Sequence, residues 1–150
     1  MKLSSEIALV TGASRGIGRA IAERLAQEGA KVVGTATSDA GREAMAAWLE
    51  PLGGQSRVLN VTDAAACEAL LDDIAKTIGP ISVLVNNAGV TRDTLLMRMK
   101  DEDWDTVIQT DLTSVFRLSR GVMRGMMKAR KGRIISIGSV VGAIGNPGQA

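Results

Sequence analysis

The chain has 150 residues, of which 45% are hydrophobic and 23% are charged, and its formal net charge is +2. This length is enough for one domain with a sizeable core, and the apolar content argues against a disordered protein. The small net charge gives little reason to expect a nucleic-acid-binding protein. No segment approaches the roughly 18 apolar residues of a membrane span, and no signal-like run opens the chain. Cys67 is the single cysteine, so we expect a packing role for it and a cytoplasmic protein without a membrane partner.

Five short apolar runs predict buried β-strands, because strands covered on both faces are apolar throughout. The runs are 7–10, 31–35, 57–61, 81–85 and 133–137. Apolar residues recur at helical spacing after each of the first four runs. The predicted helices are 19–26, 42–49, 64–78 and a long one over 101–129, and Thr62-Asp63 is a capping signal for the third. Residues 138–147 are predicted to be loop-like.

Alternating strands and helices predict an α/β fold, a doubly wound Rossmann-like parallel sheet with helices on both faces. Right-handed crossovers give the expected strand order 3-2-1-4-5. Internal repeats and low-complexity linkers are absent from the sequence, so we expect a single domain over residues 1–150. Ligands of such sheets bind beyond the carboxyl ends of the strands, at the switch point between strands 1 and 4. The expected site therefore lies at residues 11–18 and 86–89.

A glycine-rich turn joins the first strand to the first helix, and it reads Thr11-Gly12-Ala13-Ser14-Arg15-Gly16-Ile17-Gly18. Unpaired N–H groups and the helix dipole converge at such a turn and predict an anion site. Its three glycines would allow a tight turn, backbone approach to a pyrophosphate and close packing of helix on strand. The turn therefore favours nucleotide binding over its alternative, a purely structural turn.

The end of the second strand bears on the choice of cofactor. Sites for NAD usually place an acid there to hold the ribose 2′-OH, whereas this chain has Thr35-Ala36-Thr37-Ser38. A 2′-phosphate would meet these hydroxyls and the guanidinium of Arg15. We therefore favour NADP(H), with Thr37 in the phosphate pocket. Asp39 is the reservation, since it lies only one or two residues beyond.

Three motifs resemble the short-chain dehydrogenase/reductase family. Residues 11–18 are similar to its TGxxxGxG turn, Asn86-Asn87-Ala88-Gly89 to its NNAG motif, and Ser139 after the fifth strand to its active-site serine. Segments 90–100, 114–119 and 138–142 further resemble the bacterial 3-oxoacyl-[acyl-carrier-protein] reductases within that family. The resemblance extends over all 150 residues.

The resemblance implies NADPH-dependent reduction of 3-oxoacyl-[acyl-carrier-protein] to the 3-hydroxyacyl product in fatty acid biosynthesis. It implies cofactor contacts from the glycine turn, the NNAG motif and the end of strand 3, and no metal site. With Thr37 added, the expected cofactor-binding residues are Gly12, Ala13, Ser14, Arg15, Gly16, Ile17, Gly18, Thr37, Asn60, Val61, Asn87, Ala88 and Gly89. For Asn60 and Val61 the alternative is that they are only strand-end turn residues.

Two residues are expected at the reaction centre. The resemblance gives Ser139 the role of holding the substrate carbonyl oxygen. Asp111 stands where the family usually has an asparagine that helps to hold a water of the proton relay. It shares a predicted helical face with Trp104, Val107 and Leu118, so burial of its carboxylate is expected to be costly.

The family's proton donor is the tyrosine of a Tyr-x-x-x-Lys segment, which in relatives begins just after a match to Gly148-Gln149. The chain contains no tyrosine and no histidine. We therefore expect these residues to be the N-terminal portion of a longer reductase, truncated after strand 5 and by themselves poor at reducing a ketone. Ile134, Ile135 and Ile137 would then lie on an unprotected edge. The alternatives are a non-catalytic nucleotide-binding module and a reductase of another ketone or alcohol.

Two surfaces suggest partners. The long predicted helix has apolar residues on two sides, Ile108, Leu112, Val115, Val122 and Met126 on one and Phe116, Met123 and Met127 on the other. One side can cover the sheet, and the other suggests a partner helix of a homodimer or homotetramer, or methionines that fill the core. A basic cluster is either a solvated helix end or a docking patch for acidic acyl carrier protein. It contains Arg124, Lys128, Arg130, Lys131 and Arg133.

Overall fold

A five-stranded parallel sheet forms the centre of the molecule, in a computed structural model that describes residues 2–149. Its strands lie in the order β3-β2-β1-β4-β5, which confirms the prediction. They are β1 (Ile7–Val10), β2 (Lys31–Ala36), β3 (Gln55–Val58), β4 (Val83–Asn86) and β5 (Arg133–Ser136). The architecture is the doubly wound α/β arrangement expected from the alternation of elements.

Helices connect successive strands. They are α1 (Gly16–Gln27), α2 (Asp39–Leu49), α3 (Ala64–Thr77), α4 (Asp101–Val107), α5 (Ser114–Ala129) and a single turn, α6 (Val141–Ile144). Short 3-10 turns occupy Glu50–Leu52 and Leu96–Arg98. The turn α6 lies within the stretch expected to be loop-like, and the Ser139 side chain begins it by accepting a hydrogen bond from the backbone N–H of Val141. Among the described residues, no helix is long and apolar enough to cross a membrane.

The sheet buries both of its faces because its residues alternate between two cores. Ala8, Val10 and Val32 point toward α1 and α2, where Met45 and Leu49 complete one apolar cluster. The intervening residues point the other way, toward α3 and α5. That second cluster contains Leu9, Val33, Leu84, Leu70, Ile74, Leu118, Val122 and Met126. The carboxyl ends of the strands are left free of both layers, at one edge of the molecule.

Side-chain caps and turns set several boundaries. Asp63 accepts a hydrogen bond from the backbone N–H of Ala66 at 2.9 Å, which confirms the predicted cap of α3. Strand β3 ends at Val58 rather than at residue 61. The chain turns at Asn60, whose Oδ1 accepts hydrogen bonds from the backbone N–H and the hydroxyl of Thr62 at 3.0 and 2.8 Å. This local turn competes with the sheet for the backbone and ends the strand early.

The long predicted helix is interrupted by a π-helical segment, Ile108–Thr113, between α4 and α5. The backbone N–H of Ser114 donates to the carbonyl of Gln109, five residues back, while the Ser114 hydroxyl donates to the carbonyl of Thr110. The wider turn shifts the angular position of the residues before α5. The prediction that Leu112 shares a side with Val122 and Met126 is therefore wrong, since Leu112 is 62% exposed.

Among the exposed apolar residues, two groups bear on the expectations from the sequence. Helix α5 packs Leu118, Val122 and Met126 against the sheet. Its outer side, with the end of the π segment, presents a stripe to solvent that consists of Leu112, Phe116, Met123 and Met127. Strand β5 lies at one edge of the sheet. Its neighbourhood exposes three isoleucines by 39–46%, namely Ile134, Ile135 and Ile137, on the edge that the sequence predicts.

Candidate active site

The loops after β1 and β4 meet at the carboxyl edge of the sheet. The hydroxyl of Thr11 accepts hydrogen bonds from the backbone N–H groups of Asn87 and Ala88, each at 3.0 Å. The Asn87 side chain adds two hydrogen bonds between the same loops. Its Nδ2 donates to the carbonyl oxygens of Thr11 and Gly12 at 2.9 and 3.0 Å. The two loops that were expected to form the site are therefore one hydrogen-bonded unit.

Two glycines allow the loops to come this close. Gly12 has a φ of +64°, and a Cβ built there would lie 3.0 Å from the Cα of Ala88. A Cβ at Gly18 would overlap both the Asn87 amide nitrogen and the Gly12 carbonyl. A side chain at either position would push the loops apart, so glycine is required at both for the wall to close.

The N-terminus of α1 points its unpaired N–H groups at the space in front of this wall. The N-cap is Arg15, no side chain caps the helix, and its first turn contains no acidic residue. The N–H groups of the first helical turn lack intrahelical acceptors, and the helix dipole adds partial positive charge there. This end of the helix is suited to bind an anionic group.

A cavity of about 620 Å³ lies between the two loops and the ends of β2 and β3. Its lining residues are Gly12, Ser14, Arg15, Gly16, Ile17, Gly18, Thr35, Ala36, Thr37, Leu59, Asn60, Val61, Asn87, Ala88, Gly89, Val90 and Thr110. They include every expected cofactor residue except Ala13, whose side chain is fully buried in the α1–α2 core. The volume is in the range of pockets that hold cofactors.

The side chains that line this cavity carry positive charge and no negative charge. Among its lining residues, Arg15 is charged and none is an aspartate or a glutamate. Asp39, the reservation raised from the sequence, lies outside the lining, in the first turn of α2, where its carboxylate is 3.5 Å from Nε of Arg42. The hydroxyl of Ser38 is engaged as the cap of α2, which leaves Thr37 as the exposed hydroxyl at the end of β2.

The end of β3 supplies the opposite wall. Leu59 and Val61 are buried, and the Leu59 N–H donates to the Ala36 carbonyl at 2.8 Å. Asn60 lines the cavity, yet its side-chain oxygen is held by Thr62 as described above. Asn60 is thus both a turn residue and a wall residue, so the two interpretations of it are compatible.

A second cavity, of about 530 Å³, adjoins the first, and Val90 lines both. Its lining consists of Val90, Thr91, Arg92, Asp93, Met99, Trp104, Val107, Ile108, Asp111, Ser139, Val141, Gly142, Gly145 and Gln149. The structure therefore places Ser139 and Asp111 together in this second cavity, next to the one that contains the glycine turn.

Asp111 is exposed to this cavity rather than buried in the core, so the expected cost of burying its carboxylate does not arise. It lies in the π segment, which turns it toward the same cavity as Trp104 and Val107, whereas Leu118 points into the core. Its Oδ1 accepts a hydrogen bond from the backbone N–H of Val90 at 2.9 Å. This contact ties the π segment to the loop after β4.

Ser139 is exposed and lines the second cavity, three residues after the end of β5 at Ser136. Its Oγ accepts a hydrogen bond from the Val141 N–H at 3.2 Å. A hydroxyl that accepts one hydrogen bond keeps its own hydrogen for donation. Ser139 can therefore still donate a hydrogen bond to an oxygen of a molecule in the cavity.

Some roles in the site differ from the expectations or were not expected. Thr35, whose hydroxyl was expected near a 2′-phosphate, is buried and accepts a hydrogen bond from the Gly12 N–H at 3.3 Å. Thr11 joins the two loops, and Val90 lines both cavities. Thr11 opens the glycine motif, which is a signal that sequence reasoning could have used. The roles of Thr35 and Val90 depend on contacts between distant segments, for which the sequence has no local signal.

Cys67 lies outside both of these cavities. It is buried in α3, and its Sγ is 3.5 Å from the Val61 carbonyl. Burial raises the pKa of the thiol, so it stays protonated near neutral pH. The residue packs the core, as the sequence predicts.

Comparison with known proteins agrees with this arrangement. A family model described as short chain dehydrogenase matches residues 6–150. The chain is 61% identical to "3-oxoacyl-[acyl-carrier-protein] reductase FabG" of Escherichia coli (strain K12), over 100% of this chain and 61% of that protein. It is 58% identical to the protein of the same name from Vibrio cholerae and 54% identical to that from Pseudomonas aeruginosa, again over 61% of each. The chain spans about three fifths of the length of these relatives. It belongs to the short-chain dehydrogenase family.

Proposed function

We propose that the whole protein is an NADPH-dependent 3-oxoacyl-[acyl-carrier-protein] reductase of fatty acid biosynthesis. The observation that carries the proposal is the pair of adjoining cavities. One has the glycine turn and the helix N-terminus, and the other has Ser139 and Asp111, with Val90 between them. The three relatives described above bear that enzyme's name. Residues 1–150 would form its nucleotide-binding domain, which is incomplete beside those relatives.

The first cavity fits a nicotinamide dinucleotide. Family membership implies such a cofactor, and Gly16, where a Cβ would meet nothing within 4 Å, leaves the backbone at the helix N-terminus open to a pyrophosphate. The N-terminus of α1 would hold the pyrophosphate, and the loop at Asn87–Gly89 would lie beside the nicotinamide. Arg15 and Thr37 would bind a 2′-phosphate, which no carboxylate of the lining would repel. These features favour NADP(H) over NAD(H).

The second cavity would hold the carbonyl to be reduced. Bound reduced nicotinamide would supply the hydride. Ser139 would donate a hydrogen bond to the carbonyl oxygen and so stabilise the negative charge that develops there. Asp111 would keep the loop at Val90 in place through its 2.9 Å hydrogen bond. The proton would come from the tyrosine segment that the family resemblance implies beyond Gly148-Gln149.

The proposal includes partners. The exposed stripe on α5 would pair with a second copy of the chain, in a dimer or tetramer. Arg130 and Lys128 at the end of α5 are exposed and free to attract the acidic acyl carrier protein, whereas Lys131 is engaged in an ion pair with Glu6. We propose a cytoplasmic location, which suits a single buried cysteine.

The phosphate pocket provides the test. Titration of the chain with NADPH and NADH should show NADPH binding at least about tenfold more tightly, a difference of about 1.4 kcal/mol. Thr37→Asp places a carboxylate in the pocket, so NADPH affinity should fall about tenfold or more while NADH affinity is maintained. Thr77→Asp, at the exposed end of α3, serves as the matched control and should leave both affinities unchanged.

Three outcomes would contradict the proposal. An unchanged preference for NADPH in Thr37→Asp would place the 2′-phosphate elsewhere. Tight NADPH binding without turnover of 3-oxoacyl thioesters by the whole protein would support the non-catalytic nucleotide-binding module instead. Turnover of other ketones alone would support a reductase with another substrate.

A further inference from the structure

One helical face forms a continuous wall of the second cavity. Trp104 and Val107 of α4, with Ile108 and Asp111 of the π segment, line this wall. Their spacing of i, i+3, i+4 and i+7 brings them to one side of the helix. Three of the four side chains are apolar, and Met99 extends the apolar lining before α4 begins.

The wall is polar at one end and apolar at the other. Trp104 is the first residue of this face along the chain and Asp111 the last, and both line the cavity together with Ser139. With a rise of about 1.5 Å per residue, the two positions are about 10 Å apart along the helix axis. A ligand that fits both ends has a polar group at Ser139 and an extended apolar chain along the helix.

Polar contacts hold the rim of the cavity. Nε of Arg92 lies 3.6 Å from Oδ1 of Asp103, which joins the loop after β4 to the start of α4. Gln149 donates a hydrogen bond from Nε2 to Asp93 at 3.2 Å. Arg92 and Asp93 are therefore each held by a polar partner, while Trp104, Val107 and Ile108 line the cavity with apolar side chains that can contact a ligand.

Part of the apolar surface of Trp104 is exposed. Its side chain lines the cavity, and the residue is 50% exposed. An alkyl chain laid against the indole would remove apolar area from water on both partners, which favours binding. Each methylene that reaches such a surface adds about a fourfold gain in affinity, whereas methylenes beyond it add none.

We propose that this face, Trp104, Val107 and Ile108, binds the acyl chain of the substrate, and that Trp104 sets the chain length beyond which affinity stops rising. The inference rests on the proposed function, because it takes the reacting carbonyl to lie at Ser139. It names the residues that select among 3-oxoacyl thioesters, which the proposed activity leaves open.

The chain offers its own reporter for a test, since it has two tryptophans. Trp48 packs against the α1–α2 core, so Trp48→Phe leaves Trp104 as the single indole of residues 1–150. We would titrate this variant with 3-hydroxyacyl pantetheine thioesters from butyryl to dodecanoyl, with and without NADPH. Chains long enough to reach Trp104 should shift its emission to the blue, and affinity should rise with length and then level off.

Variants at the wall make the test specific. Trp104→Ala should weaken binding of the long-chain thioesters about tenfold and leave the butyryl thioester unchanged, measured by calorimetry in the whole protein. Leu52→Ala, in the 3-10 turn after α2 and outside both cavities, is the control for loss of an exposed apolar side chain and should leave every affinity unchanged. Thermal unfolding of each variant would show that the fold is retained.

The outcomes separate this inference from the proposed function. NADPH binding together with thioester affinities that depend neither on chain length nor on Trp104 would overturn the acyl wall and leave the reductase proposal standing. Trp104-dependent binding of long thioesters without any NADPH binding would support the wall and overturn the reductase proposal. Failure of every thioester to bind would overturn the wall.

Discussion

Gly18 is the residue at which the site tolerates least change. It sits in the first turn of α1, against the Asn87 amide and the Gly12 carbonyl, with no space for a Cβ. The two loops contact each other through the same Asn87 amide. A single methyl group at Gly18 therefore acts on both walls of the first cavity.

We expect Gly18→Ala to lower NADPH affinity by at least about tenfold, because the added methyl forces apart the loops that would hold the cofactor. Isothermal titration of the chain measures the effect. Gly125→Ala is the matched control, since a Cβ there meets nothing within 4 Å and alanine favours the helix by about 1 kcal/mol. Equal NADPH affinity in the two variants would show that the close packing at Gly18 does not shape the site.

At this scale the sequence predicts which residues surround the site better than how each one acts. The glycines and the NNAG motif can be recognised in the sequence because these residue types allow the backbones of two loops to come close together. The use of the Thr11 hydroxyl as an acceptor for two N–H groups, and the orientation of Asp111 toward Val90, arise from segments about 76 and 21 residues apart. No local pattern encodes such pairings.

At the scale of a single element, the carboxyl end of helix α5 forms a small basic surface. Arg130 is the C-cap and adopts a left-handed conformation with φ of 50°. Its side chain is exposed, and the cations at this end suit the negative end of the helix dipole. Both interpretations of the basic cluster, a solvated helix end and a docking patch, predict this placement.

Charge reversal at the C-cap distinguishes them. If the cluster docks acyl carrier protein, Arg130→Glu in the whole protein should weaken carrier-protein binding about tenfold, with turnover of a small thioester unchanged. Surface plasmon resonance at low and physiological salt would measure the binding, and the difference should shrink as salt rises. Carrier-protein affinity that is the same in Arg130→Glu as in the unaltered protein would leave only the solvated helix end.

The π segment is the element that sequence patterning missed. Apolar residues from Trp104 to Met126 recur closely enough to helical spacing to predict one helix. The extra residue in the turn is stabilised by a hydroxyl–carbonyl contact between Ser114 and Thr110, and serine and threonine occur in ordinary helices too. Its effect is large, since it turns Asp111 to the second cavity and Leu112 to solvent.

At the scale of the whole molecule, an ion pair ties the beginning of β1 to the turn before β5. Lys131 contacts the Glu6 carboxylate, whose side chain is only 11% exposed. The hydrogen bond from Lys131 holds the pKa of the Glu6 carboxyl below its usual range, and a contact with Ser82 acts in the same direction. The pair lies at the amino ends of the strands, on the side of the sheet opposite the site.

The lowered pKa of Glu6 predicts a pH dependence of stability. Ionised Glu6 favours the folded state at every pH above the carboxyl pKa of the unfolded chain, and this contribution disappears as the pH falls through the lower pKa of the folded state. Glu6→Gln should therefore cost up to about 1 kcal/mol of the free energy of unfolding at pH 7 and less at pH 2. Urea unfolding at the two pH values tests this; an equal loss at both would assign the effect to packing.

The strand order follows from the sequence because alternation, crossover handedness and buried apolar runs all point to it. The residues at which the strands end are predicted less accurately from the sequence. Asn60 illustrates why, since a side chain that turns its own backbone ended β3 three residues before the apolar run ended. The whole fold is specified by many weak and consistent signals, whereas each boundary depends on one local competition.

The hydrogen bonds between Thr11 and Asn87 have a consequence for the order in which the protein can be built. During synthesis the glycine turn leaves the ribosome complete at Gly18, yet the loop that supports it follows roughly 70 residues later. At a synthesis rate of about 5–20 residues per second, the loop at Asn87 is made about 4 to 14 s after the turn. Until then β1 also lacks β4, so a nascent chain that ends before Asn87 lacks one wall of the first cavity.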